Sequence, residues 1–151
     1  MKPIVILIFL VISVSVFAQE EAVRRRNFNH DNGVAMKDFD PVSYFKGRAL
    51  KGETKFEYFY KGIKYHFANK ENMEEFVKTP GKYEPAYGGW CAYSMSQNGQ
   101  RVKVDPSTYK IIDGKLHLFS NFNGKNTLLI WNKNEKKLMT DADKFWVKKM
   151  N

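Results

Sequence analysis

From Phe56 to Phe67 the chain places an apolar side chain at every second position on both sides of Lys61-Gly62: Phe56, Tyr58 and Tyr60, then Ile63, Tyr65 and Phe67. A strict two-residue period cannot form one face of a helix, so this stretch has to be a pair of strands. Lys61-Gly62 supplies a two-residue turn, and so short a loop leaves little freedom of register. Tyr60 is then opposite Ile63, Tyr58 opposite Tyr65 and Phe56 opposite Phe67 on an aromatic core face. The other face sets Glu57 opposite His66.

Around this hairpin the rest of the chain reads as a mixture of short elements. Val34-Ala35-Met36 is expected as a brief strand, and Asp40-Pro41 as a helix start with Asp40 as N-cap. Asn69 is placed to cap a helix over Lys70 to Lys78 with Met73, Phe76 and Val77 facing inward; Thr79-Pro80-Gly81 ends it. A second hairpin turns at Asp113-Gly114, with Tyr109, Ile111, Leu116 and Leu118 on its apolar face. Lys110 and His117 share the opposite face, so His117 is expected to be exposed. Two helical stretches follow, one around Leu128 and Trp131 and one from Glu135 to Lys149, the latter burying Leu138, Ala142, Phe145 and Trp146. The fold class is α+β, a small antiparallel hairpin sheet covered by short helices with a helical C-terminus.

The N-terminus reads as a leader. Lys2 precedes an apolar run from Pro3 to Val14, and Val16-Phe17-Ala18 makes a small-residue exit. This is the charge, core and cleavage pattern of a secretory signal, with Gln19 as first mature residue. The run is shorter than a spanning helix needs, so stable membrane insertion after cleavage is not expected. The expected organisation is a signal at 1–18, a loose polar lead-in at 19–32 that includes His30 and a flexible Arg24-Arg25-Arg26, and a domain over 33–151. The chain carries a formal charge of +9. Export makes nucleic acid an unsuitable partner for it, and the scattered lysines read as a solvated face. The expected location is periplasmic or secreted. A lone cysteine, Cys91, cannot close an internal disulfide there, so packing alone holds the fold.

Residues that can carry chemistry are few. Tyr87-Gly88-Gly89-Trp90-Cys91 puts a thiol directly after paired glycines. If the next residues are helical, Cys91 sits in the first turn, where free N–H groups favour a thiolate, with Met95 four residues on. Cys91 also reads as a small buried hydrophobe. His66 is the candidate imidazole, and Glu57 the carboxylate that orients it from behind. One thiol, one imidazole and one thioether suit Cu(I) or another soft ion better than closed zinc, which wants four protein ligands. The same Cys–His pair also reads as a reactive thiol with its base. There is no Ser-His-Asp order, phosphate loop or carboxylate-rich metal motif, so binding is expected rather than catalysis.

In order along the chain, Asp40-Pro41-Val42-Ser43-Tyr44-Phe45, Tyr65-His66-Phe67-Ala68, Tyr87-Gly88-Gly89-Trp90-Cys91-Ala92-Tyr93, Val104-Asp105-Pro106, Asp113-Gly114-Lys115-Leu116 and Ala142-Asp143-Lys144-Phe145-Trp146 resemble the YHS-domain proteins. The likeness is to their exported single-domain branch, often labelled YHS domain-containing (seleno)protein, and runs from about Gly33 to the C-terminus. Phe67 stands where the family name has serine, and the additional cysteines of metal-binding members are absent. The resemblance implies a heavy-metal-binding module, with Cys91 at the position where selenium chemistry is expected in relatives. The expected function is extracytoplasmic binding of a soft metal, copper above all, through Cys91 and His66 with Met95. A thiol redox protein using Cys91 and His66, and a non-catalytic interaction or structural domain, are the alternatives.

Overall fold

A computed structural model describes residues 17–151, so the leader up to Val16 lies outside the described residues. The protein is mixed α+β. Helix α1 covers described residues 17–27. Strands β1 (His30–Asp31) and β2 (Val34–Ala35) follow, then the hairpin of β3 (Glu53–Tyr60) and β4 (Ile63–Phe67). These form one sheet in the order β1-β2-β4-β3, with β2 and β4 parallel and the other pairs antiparallel. Helices α2 (Lys70–Lys78), α3 (Pro80–Tyr83) and α4 (Ala92–Asn98) lead to the hairpin β5 (Asp105–Ile112) and β6 (Lys115–Phe119). A small ribbon, β7 (Asn121–Phe122) and β8 (Lys125–Asn126), precedes α5 (Thr127–Trp131) and α6 (Glu135–Met150).

The turn chemistry sets both hairpins. Lys61 and Gly62 have φ of 46° and 82°, and Asp113 and Gly114 have 50° and 72°, the paired positive angles that a type I′ turn demands. Tyr60↔Ile63, Tyr58↔Tyr65 and Glu57↔His66 pair as expected, as do Ile111↔Leu116, Lys110↔His117 and Tyr109↔Leu118. Phe56 is not opposite Phe67. A register shift between Glu53 and Glu57 gives that place to Glu53. An irregularity of this kind inserts extra residues in one strand, which no alternation pattern reveals.

Other expectations need correcting. Asn69 caps α2 by accepting from the Asn72 N–H at 2.8 Å, yet Val77 is exposed and Phe76 carries the burial. Residues 19–32 are not a loose lead-in. They hold most of α1, and Phe28 joins the core, Asn27 Nδ2 donates to the Lys149 carbonyl at 2.9 Å, and the buried Arg24 guanidinium pairs with Glu84. Polarity misled here because Arg24 is held by charge and by ring contact, its guanidinium carbon lying 4.2 Å from the Phe28 centroid.

Two core clusters fill the interior. The first joins Tyr65, Phe67 and Phe76 to Tyr83, Leu116 and Leu118; the second gathers Met95, Ile112, Phe119, Trp131 and Ala142. The β5–β6 hairpin stands between them, because its alternating residues feed Leu116 and Leu118 to one and Ile112 and Phe119 to the other.

Asp40 ties the first cluster together. Its side chain is fully buried and accepts from the Val42 and Ser43 N–H groups on Oδ1, at 2.8 and 3.2 Å. Oδ2 accepts from the Ala68 N–H at 3.0 Å and Asn72 Nδ2 at 2.6 Å. One carboxylate thus joins the 3₁₀ turn Ser43–Lys46, the end of β4 and α2. Removing it leaves several buried donors without partners. Asp40→Ala is expected to lower the unfolding free energy by about 3–5 kcal/mol, and Asp40→Asn, which keeps one acceptor, by about 2–3 kcal/mol. Denaturant titration measures both, and losses below about 1 kcal/mol for both would refute the role given to Asp40.

Candidate functional site

His66 has both ring nitrogens facing carboxylates. Nδ1 lies 3.0 Å from Asp38 Oδ1, and Nε2 lies 3.7 Å from Glu57 Oε2. The strand register does bring Glu57 to His66, but Glu57 is held by the Lys64 ammonium at 3.0 Å, which also keeps its carboxyl below the usual carboxylate range. The carboxylate that orients the ring is Asp38. It reaches there because Met36, Lys37 and Asp38 all adopt positive φ (57°, 52° and 68°), a left-handed turn that costs L-residues about 1–2 kcal/mol each. Burial of Met36 and a 2.7 Å bond from the Gly52 N–H to the Asp38 carbonyl hold it.

Cys91 lies elsewhere. Side chains alternate across a strand, so His66 projects from the face opposite Tyr65 and Phe67, and those two share the core cluster of Cys91. The thiol is fully buried, with Sγ 3.4 Å from Thr127 Oγ1. Thr127 gives its one proton to the Ser120 carbonyl at 2.9 Å and accepts from the Ser120 N–H at 3.0 Å. With that proton used, Thr127 Oγ1 is left to accept a hydrogen bond from the thiol. Cys91 does stand at the N-cap of α4, but Met95 packs in the second cluster. Among the described residues no hydrogen bond joins Cys91 to His66, and no group of three His, Cys, Asp or Glu side chains is arranged to hold a metal ion. A soft ion does not fit this set. Its thiolate would have to form in a sealed core, and its imidazole faces the other way.

A cleft of about 510 Å³ lies between α1, β6 and α6. Tyr87 and Gly88, at φ 54° and 58°, turn the chain along its wall. A Cβ on Gly88 would stand 2.7 Å from Trp146 Cη2, so the glycine is what lets that indole lie against the backbone. The paired glycines thus serve a close approach of α6 and of Asn29, whose N–H donates to the Gly88 carbonyl at 2.8 Å. The Tyr87 hydroxyl donates to Asp143 Oδ1 at 2.9 Å, and burial first, then that carboxylate, pushes its ionisation far up.

His117 also lines the cleft, contrary to the exposure expected of it. It is 4 % exposed, with ring centroids 5.6 Å from Tyr87 and 6.1 Å from Trp131. Its Nδ1 bonds the Lys115 carbonyl at 3.1 Å, which leaves Nε2 as the bare nitrogen of the neutral ring. No buried side-chain nitrogen or oxygen among the described residues lacks a partner, so the unbonded Nε2 opens to the cleft. A signal for this was present: Ile112 and Phe119 share the face of Lys110 and His117, and apolar residues on both faces mark a strand pair buried on both sides.

No protein-family model, curated protein or solved structure matches the chain. Three of the motifs quoted above, at Tyr87-Gly88, Asp113-Lys115 and Asp143-Trp146, converge on the cleft.

Two outcomes follow from this geometry. Burial holds His117 below the ordinary histidine value of about 6.5, against the smaller opposing pull of the Lys115 carbonyl and of Asp143. A depressed imidazole stabilises the fold above that value and loses the contribution as pH falls through the folded-state value. Stability should therefore decline from pH 7 toward pH 5, and His117→Gln should flatten that decline. Equal slopes in urea titrations of the two proteins would refute it. For Cys91, iodoacetamide labelling of the native protein should run about 1,000-fold or more below the rate in denaturant, because the thiol reacts only when the core opens. Native labelling at the unfolded rate would show an accessible thiol.

Proposed function

We propose that this chain is an exported, non-catalytic binding domain of the YHS type, and that its ligand occupies the cleft beside Tyr87, His117 and Trp146. The cleft carries this reading. Its volume of about 510 Å³ falls within the range of small-molecule sites, and it combines aromatic walls with a few placed polar groups, the usual make-up of such sites. Its polar groups are fixed by their own bonds, Tyr87 on Asp143 and His117 on the Lys115 carbonyl, so little ordering is needed when a ligand enters. Export is supported by Lys2, the apolar run from Pro3 to Val14 and the Val16-Phe17-Ala18 exit.

Copper binding and thiol redox chemistry both require Cys91 to meet a partner at the surface. The bond to Thr127, the complete burial of the thiol and the opposite outlook of His66 weigh against each. A fragment screen followed by amide and indole NMR shifts tests the proposal. Hits should cluster on Tyr87, His117 and Trp146 and weaken in Trp146→Phe. Hits scattered over the surface would overturn the cleft reading. A tight one-to-one Cu(I) complex lost in both Cys91→Ser and His66→Ala would restore the metal reading in its place.

A further inference from the structure

We infer that the ligand of this cleft is an organic ammonium, a protonated amine carried on an apolar or aromatic body. The inference rests on the cleft being the binding site and names the chemistry that site selects. The chain has a formal charge of +9, yet three carboxylates and only two cations line this cleft. Of the two cations, only Arg24 is paired with a carboxylate among the described residues. Arg24 pairs with Glu84 and donates to the Lys61 carbonyl, and the Lys115 ammonium is held by the Gly81 carbonyl.

Against the one ammonium of Lys115 stand two carboxylates without a cation among the described residues. Asp143 uses Oδ1 for the Tyr87 hydroxyl and has no cationic partner among the described residues, and Asp113 forms no hydrogen bond or ion pair there. His117 Nε2 adds a neutral acceptor that opens to the same space. An anion would face two unpaired carboxylates with the Lys115 ammonium alone in its favour, whereas an ammonium with three N–H bonds meets acceptors of suitable kind. The aromatic wall points the same way. Trp146 lies 5.7 Å from Phe28 and 6.5 Å from Tyr87, centroid to centroid, and ring faces attract cations. That wall already holds one cation, since the Arg24 guanidinium carbon sits 4.2 Å from the Phe28 centroid. A bulky body is accommodated by Met139, Met150 and Ile112, which line the apolar part of the cleft.

Three probes of similar size and different charge decide the matter: 2-phenylethylammonium, 2-phenylethanol and 3-phenylpropanoate, each titrated into the exported protein and followed by NMR shifts and calorimetry. The ammonium should bind at least about fivefold more tightly than either of the others, and added salt should weaken it alone. Asp143→Asn keeps an oxygen for Tyr87 while removing the charge, and should abolish the preference. Lys115→Gln removes a like charge and should leave the ammonium bound as tightly or more tightly. If the alcohol or the carboxylate binds as well as the ammonium and shifts the same cleft residues, the ligand class is overturned and the cleft reading stands. If none of the three perturbs Tyr87, His117 or Trp146, both fall.

Discussion

Among the described residues, Asp40 holds its place with no cation in an ion pair to it. Its carboxylate is satisfied by backbone N–H groups of the turn it caps, by the Ala68 N–H at the end of β4 and by the Asn72 amide of α2. A positive charge stands one step removed, the Lys46 ammonium on Asn72 Oδ1 at 2.7 Å. A buried charge of this kind is tolerable only while every donor stays aimed at it. The turn, the strand end and the helix are therefore fixed relative to one another, and the aromatic cluster of Tyr65, Phe67 and Phe76 forms against that frame. The left-handed turn at Met36–Asp38 lies just before it in the chain, held by the burial of Met36 and the Gly52 N–H bond to the Asp38 carbonyl.

The second organising feature is a hairpin buried on both faces. With Leu116 and Leu118 on one side of β6 and His117 and Phe119 on the other, the ladder separates two cores. Cys91 packs with the first core and Met95 with the second, which is why two sulfur atoms one helical turn apart in sequence do not make a site. The imidazole of His117 is buried by the rings of Tyr87 and Trp131, and α6 brings Asp143 and Trp146 to the same place. The cleft exists because α1 and α6, from opposite ends of the chain, close over the segment at Tyr87-Gly88. Gly88 permits the contact and Asn27 fastens it at Lys149.

Local chemistry was legible wherever a residue's role depends on its near neighbours. The two type I′ turns, the pairing of Glu57 with His66, the Asn69 cap and the Asp40 cap are each set within a few residues by positive φ, two-fold alternation or a side-chain acceptor beside free N–H groups. The α+β class followed from these pieces. What failed had a common cause. Val77, the Phe56 pairing and the polar stretch at 19–32 were judged by local periodicity or composition, while their outcomes depend on a register shift or on a partner distant in sequence. Arg24 meets Glu84 across 60 positions, a pairing that no local pattern encodes.

For the candidate site the division is sharper. The sequence by itself determined which residue types were available: one thiol, an imidazole opposite a glutamate, paired glycines before a tryptophan, and a late helix with an aromatic stripe. Only the tertiary structure decided which of them meet. Strand alternation sends His66 away from the core that holds Cys91, and Thr127 Oγ1 takes up a hydrogen bond with the thiol inside that core. Helix packing, by contrast, joins Tyr87, His117, Asp143 and Trp146 from separate stretches of the chain. Side-chain direction on a strand is a local property, but which face is covered depends on where the remaining elements pack.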